Sequence, residues 1–145
     1  MSYDVVALID GRPSYQDVLA GMVAAGPDWL VRDVSDGAVL QLCDPQGQPL
    51  ASLEAPILIQ VPGEVERLLG PEVADVPTPV WWMEVRANPQ DGGPELADRY
   101  AATLVERLGG RVWKPAPPPF NPPPGTTGAD AAPAAAQNDA GGNNA

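Results

Sequence analysis

The stretch Trp29–Val61, WLVRDVSDGAVLQLCDPQGQPLASLEAPILIQV, decides the fold. Apolar and polar residues alternate along it with a period of two, and two turn signals divide it, the pattern of antiparallel strands joined by tight turns. Trp29 to Val34 forms the first expected strand, Ser35-Asp36-Gly37 turns, and Ala38 to Cys43 returns as the second. Asp44-Pro45-Gln46-Gly47 turns again: Pro at the second position and Gly at the fourth fit a type I turn with a bulge. The third expected strand, Leu50 to Val61, is long, with Ala51, Leu53, Ala55, Ile57, Ile59 and Val61 sharing the core face and Ser52, Glu54 and Gln60 opposite. Pro56 has no amide hydrogen, so this strand must bulge or lie at an edge near that point.

Upstream, Val5-Val6-Ala7-Leu8-Ile9 reads as a buried strand closed by Asp10-Gly11-Arg12-Pro13. A helix follows: Ser14 and Asp17 approximate a capping box, and Tyr15, Val18, Leu19, Met22 and Val23 share an apolar stripe up to the stop at Gly26-Pro27. Downstream, Pro62-Gly63-Glu64 opens a short helix with Val65, Leu68 and Leu69 on one face, ended by Gly70-Pro71. After a proline-punctuated loop to Pro79, Val80 to Arg86 reads as a strand with Trp81, Met83 and Val85 on one side and Trp82, Glu84 and Arg86 on the other. Pro94 starts a last helix carrying Ala97, Tyr100, Ala101, Leu104 and Leu108, Gly109-Gly110 caps it, and Arg111-Val112-Trp113 adds a short strand. The order strand, helix, three strands, helix, strand, helix, strand predicts an α+β domain, a mostly antiparallel sheet with helices packed to one side.

Composition changes at Trp113-Lys114. Residues 1–113 are expected to form one domain, and 114–145 a disordered tail whose Pro115 to Pro124 run is stiff and polyproline-like and whose Gly, Thr, Ala and Asn remainder is flexible. The tail reads as a spacer or unfolded end, with docking of its proline run to an aromatic groove as the alternative. The full chain has 145 residues, 19 acidic against 8 basic, for a net charge of −11. That balance argues against nucleic acid or an anionic membrane as partner, because phosphate binding needs clustered Lys and Arg, and it leaves a basic protein partner open. Cys43 is the single cysteine, so no internal disulfide can form and a reducing compartment is expected. Met1 to Val6 does not resemble a signal peptide and no apolar run approaches the ~20 residues that span a bilayer, so a cytoplasmic protein without membrane insertion is expected.

The chain contains no His, which closes Ser-His and Cys-His nucleophilic catalysis, and one Cys cannot build a structural zinc site. No Walker-type loop and no Gly-x-Gly-x-x-Gly follows a strand. The acidic pairs Asp33 with Asp36, Glu64 with Glu66, and Glu95 with Asp98 read as solvated faces rather than a carboxylate-only hydrolase or a magnesium site. Cys43 lies beside Asp44, which disfavours its thiolate, and reads as packing. No catalytic residue, cofactor or metal is therefore expected. The Trp81-Trp82 pair carries the most information, since alternation sends the two indoles to opposite faces of one strand. Trp82, with Glu84 and Arg86, is the candidate partner-binding surface; the plainer alternative is that a helix or loop covers it.

Several strings, among them Asp4-Val5-Val6-Ala7-Leu8, Val18-Leu19-Ala20-Gly21, Asp36-Gly37-Ala38-Val39-Leu40-Gln41-Leu42-Cys43-Asp44, Gln60-Val61-Pro62-Gly63-Glu64 and Pro79-Val80-Trp81-Trp82, resemble uncharacterised actinobacterial proteins associated with type VII (ESX) secretion loci. The resemblance covers most of residues 4–113. It implies a cytosolic accessory or chaperone-like role, with a secretion component or substrate as partner, and carries over no catalytic residue. Together these readings favour a non-enzymatic protein-interaction module. The alternatives are an immunity or inhibitor protein neutralising a basic toxin or nucleic-acid enzyme, and a phage structural component.

Overall fold

Five consecutive residues, Val5 to Ile9, are each no more than 2% exposed, so their strand is covered on both faces. The computed structural model describes residues 2–26 and 28–115; the tail expected from 114 onward lies outside the described residues beyond Pro115. The elements are β1 (Tyr3–Ile9), α1 (Tyr15–Ala25), β2 (Leu30–Val34), β3 (Val39–Cys43), β4 (Pro49–Glu54), β5 (Ile57–Ile59), α2 (Glu64–Leu69), a 3-10 turn at Pro71–Val73, β6 (Val80–Ala87), α3 (Gly93–Leu108) and β7 (Gly110–Trp113). The strands form one sheet in the order β2-β3-β4-β6-β1-β7, with β5 also paired to β6. Every pairing is antiparallel, giving the expected α+β architecture.

The turns form as their residues dictate. Gly47 takes φ 84° and donates its N–H to the Asp44 carbonyl at 2.9 Å. The Asp44 carboxylate meanwhile accepts from the Gln46 and Gln48 amides, each at 2.9 Å. At the start of α1 the capping box is complete: Ser14 Oγ accepts from the Asp17 amide, and Asp17 Oδ2 accepts from the Ser14 amide at 2.8 Å.

Two cores follow from the sheet's two faces. On one, α1 and α3 cover Val5, Ala7 and Ile9 of β1 together with Met83 and Val85 of β6. On the other, α2 and the 3-10 turn cover Val6, Leu8 and Val80 with Val65 and Val73. The expectation that the helices pack to one side is thus corrected: α1 and α3 share one face, but short α2 lies on the other, because β1 is apolar on both faces. Within α2, Val65 is buried and Leu69 half-buried, but Leu68, expected on the same face, is 46% exposed.

The long third strand is corrected. It divides at Ala55-Pro56 into β4 and β5, both on the same edge of β6: Leu53 pairs with Val85, yet Ile57 pairs with Trp82. One extra residue sits in the β4–β5 line, the bulge Pro56 demanded, and a one-residue shift sends every later side chain to the other face. Ala55, Ile57 and Val61 are accordingly exposed rather than core, and Ile59 joins the second core instead of the first.

The apolar stripe of α1 is also corrected. Met22 is buried and Val18 half-buried as expected, but the inward ridge is completed by Asp17, Gly21 and Ala25, while Tyr15 and Val23 are 71% and 70% exposed. Small residues decide this, because the Tyr100 ring of α3 packs against Gly21, where a Cβ would come within 2.8 Å of it. Asp17 then reinforces the rotation by accepting from Arg107 Nε of α3 at 2.9 Å. The helix ends where Trp29 donates its indole N–H to the Met22 carbonyl at 3.1 Å and packs on Gly26.

Two predictions follow from α1. Helix propensity alone makes Gly21→Ala a gain of about 1 kcal/mol; overpacking against Tyr100 reverses the sign, and urea unfolding is expected to show a loss of about 1–3 kcal/mol. The hydrogen bonds from Ser14, then Arg107, hold the Asp17 carboxyl below the usual carboxylate range. A depressed folded pKa stabilises above the unfolded value, so this contribution is full at neutral pH and is lost as pH falls below about 4 through the folded pKa. Asp17→Asn is expected to flatten that part of the acid-unfolding profile relative to wild type.

Candidate interaction surface

Strand β6 places the three candidate residues by parity. Trp82, Glu84 and Arg86 share the face opposite Trp81, Met83 and Val85, and hydrogen bonds link them: Trp82 Nε1 donates to Glu84 Oε1 at 3.4 Å, and Arg86 Nη2 donates to Glu84 Oε2 at 2.9 Å. Trp82 is half-buried. Across β1 it faces Leu8, inside the second core, and across β5 it faces Ile57, which is 54% exposed. The covering element that the alternation called for is therefore present in part, as α2 and the 3-10 turn, and Trp82 stands at its margin.

Beyond that margin no helix among the described residues covers the sheet. One row of paired residues crosses five strands here, Arg32 of β2, Gln41 of β3, Ser52 of β4, Arg86 of β6 and Asp4 of β1. Arg32 donates to Gln41 Oε1 at 3.1 Å. Arg86 is ringed by acids, with Asp4 Oδ1 at 3.6 Å and Glu54 Oε2 at 3.9 Å besides Glu84. The surface is thus an apolar pair, Ile57 with Trp82, bordered by a guanidinium inside a carboxylate ring. Sequence reasoning found three of its residues and missed Ile57, whose side changes at the bulge; Pro56 was the available signal.

One member of each acidic pair has a structural partner. Asp33 accepts from the Gly37 amide at 2.6 Å and Glu64 accepts from Arg67 Nε at 3.0 Å. Asp98 accepts from the Tyr3 hydroxyl at 3.1 Å and faces Lys114 Nζ at 3.2 Å. Cys43 is buried on β3. Among the described residues no group of three or more Cys, Asp or Glu side chains is placed to hold a metal ion. No helix among them is long and apolar enough to cross a membrane.

Tyr100 went unnoticed as anything but core. It is fully buried, and its hydroxyl has no hydrogen-bond partner among the described residues. Desolvation pushes its phenol well above the usual tyrosine range, so it stays protonated at neutral pH.

Comparison with known proteins finds no matching family model, no matching curated protein and no matching solved structure. The resemblance to proteins of type VII secretion loci rests on the quoted strings alone.

A buried hydroxyl without a partner costs about 1–3 kcal/mol of desolvation. Tyr100→Phe is therefore expected to unfold at an equal or higher temperature than wild type, by up to about 4–8 °C for ~1 kcal/mol, measured by thermal scanning.

Proposed function

We propose that this chain is a protein-interaction module that carries out no bond-making chemistry and docks a partner protein on the open sheet face at Ile57, Trp82, Glu84 and Arg86. The observation that carries the reading is the Ile57–Trp82 pair. A 54% exposed Ile stands directly opposite a half-buried Trp at the edge of a packed core, with a charged rim beside it. Interfaces are built in this way, from an aromatic or aliphatic anchor inside a polar border.

Charge describes the partner further. Asp4, Glu54 and Glu84 surround one arginine on a chain of net charge −11, so the complementary rim carries Lys or Arg, and association slows as salt rises. The resemblance to type VII secretion-locus proteins supports a cytosolic accessory or chaperone-like role, with a secretion component or its substrate as that partner. The same net charge favours a second reading, an inhibitor of a basic toxin or nucleic-acid enzyme, which would use the same surface. The identity of the captured protein separates the two.

Trp82 contributes to the second core, so its truncation mixes folding with binding; Ile57→Lys alters an exposed side chain and sets a cation against the basic rim of the partner. It is expected to release the partner retained by wild type from a native lysate while leaving the unfolding midpoint within about 0.5 kcal/mol. Retention by this variant removes the face from the reading.

A further inference from the structure

Strand β2 (Leu30–Val34) is an outermost strand of the sheet, paired on one side with β3 and on the other with nothing among the described residues. Such an edge presents a row of backbone N–H and C=O groups to any passing strand, and proteins guard it with charges, proline or a bulge. Here those guards are missing. The β2–β3 register runs from Leu30 opposite Cys43 to Val34 opposite Val39 without a shift, and no proline interrupts β2. Its two charged side chains are drawn back into their own hairpin. Arg32 donates to Gln41 Oε1 at 3.1 Å and to the Gly47 carbonyl at 3.2 Å, and the Asp33 carboxylate accepts from the Gly37 amide. Leu30 and Val31 are left 51% and 53% exposed. The opposite edge, β7, is four residues long, takes φ 126° at Gly110 and runs toward Pro115, which has no amide hydrogen.

The sequence of β2 selects a second copy of itself as the occupant. A copy that continues the sheet antiparallel is related by a two-fold axis normal to it. Paired side chains share a face, so the numbers of paired residues have an even sum and the ladder is centred on one residue. Three centres pair at least three residues of each strand. Centred on Arg32 or on Asp33, that residue faces its own copy and like charges meet directly, which is destabilising. Centred on Val31, valine meets valine, and Leu30 meets Arg32 of the second copy, whose aliphatic stem it can cover. Within its own hairpin Val31 pairs with Leu42 of the first core, so both valines point to the face that carries α1. On that face Tyr15 of α1 borders Gly37 and Ala38 of the β2–β3 turn, and the two-fold sets a second α1 there, with the valine pair between the two helices.

We propose that the chain forms a two-fold dimer through β2, its two sheets joined edge to edge with Val31 opposite Val31 of the second copy. The contact uses neither Ile57 nor Trp82 and stands separately from the docking of a partner there. Two chains of net charge −11 repel, so this pairing strengthens as salt rises, the reverse of the salt dependence expected for a basic partner.

Sedimentation equilibrium of the full chain, from micromolar to millimolar concentration at low and high salt, tests the dimer. Wild type is expected to pass from monomer to dimer, at lower concentration in high salt, and to form nothing larger, because a two-fold contact closes on itself. Val31→Lys and Val31→Asp, at an exposed position, are each expected to weaken the dimer about tenfold, through loss of an apolar cross-strand pair and gain of a like-charge pair. An equimolar mixture of the two variants is expected to regain most of the wild-type association, because residue 31 faces residue 31 and the charges are then opposite. A wild type that stays monomeric at both salts, a dimer indifferent to either substitution, or a mixture no stronger than its components overturns the proposal; the first of these leaves the edge to a strand of another protein.

Discussion

Strand β1 must be hidden on both faces, and the remainder of the structure is arranged around that requirement. Val5, Ala7 and Ile9 point to one side and Val6 and Leu8 to the other, all at most 2% exposed. Each large apolar side chain so buried is worth about 1.5–3 kcal/mol, and no single layer of helices can cover both sets. Strands β6 and β7 therefore flank β1, α1 and α3 close one face, and α2 with its 3-10 turn closes the other. Gly110 belongs to the same constraint: at φ 126°, a Cβ there would collide with the Leu8 carbonyl, so only glycine lets β7 approach this closely.

The second layer is smaller than the sheet it covers. Six residues of α2 and three of the 3-10 turn shield the β1–β6 centre but leave β4, β3 and β2 open on that face. The bulge at Ala55-Pro56 lies on the boundary. By shifting the side-chain parity of β5, it places Ile57 next to Trp82 on the open side and withdraws it from the space under α1. One inserted residue thus decides which apolar side chain stands beside Trp82.

The contact of α1 with α3 follows a different rule. The helix could bury its largest apolar residues or its smallest, and the Tyr100 ring selects the smallest. Close approach of two helices through Gly21 and Ala25 gains dispersion along the whole contact, and the Asp17–Arg107 pair, its carboxylate largely buried and its guanidinium exposed, holds that rotation. Tyr15, Leu19 and Val23 are left outward as a consequence.

Much was legible in the chain itself. The α+β class, the Asp44–Gly47 turn, the Ser14–Asp17 capping box, the apolar stripe of α3 and the opposition of Trp81 to Trp82 all depend on residues within a few positions of one another. Local hydrogen bonds and strand parity are short-range properties, so the sequence states them directly. The face that α1 buries, the parity after Pro56, the partial cover over Trp82 and the unpaired Tyr100 phenol were decided only by the tertiary structure. Each depends on what a distant segment places opposite: a ring 79 positions from Gly21, or a strand whose register absorbs one extra residue. Burial is a property of pairs of surfaces, and periodicity within one segment describes only half of each pair.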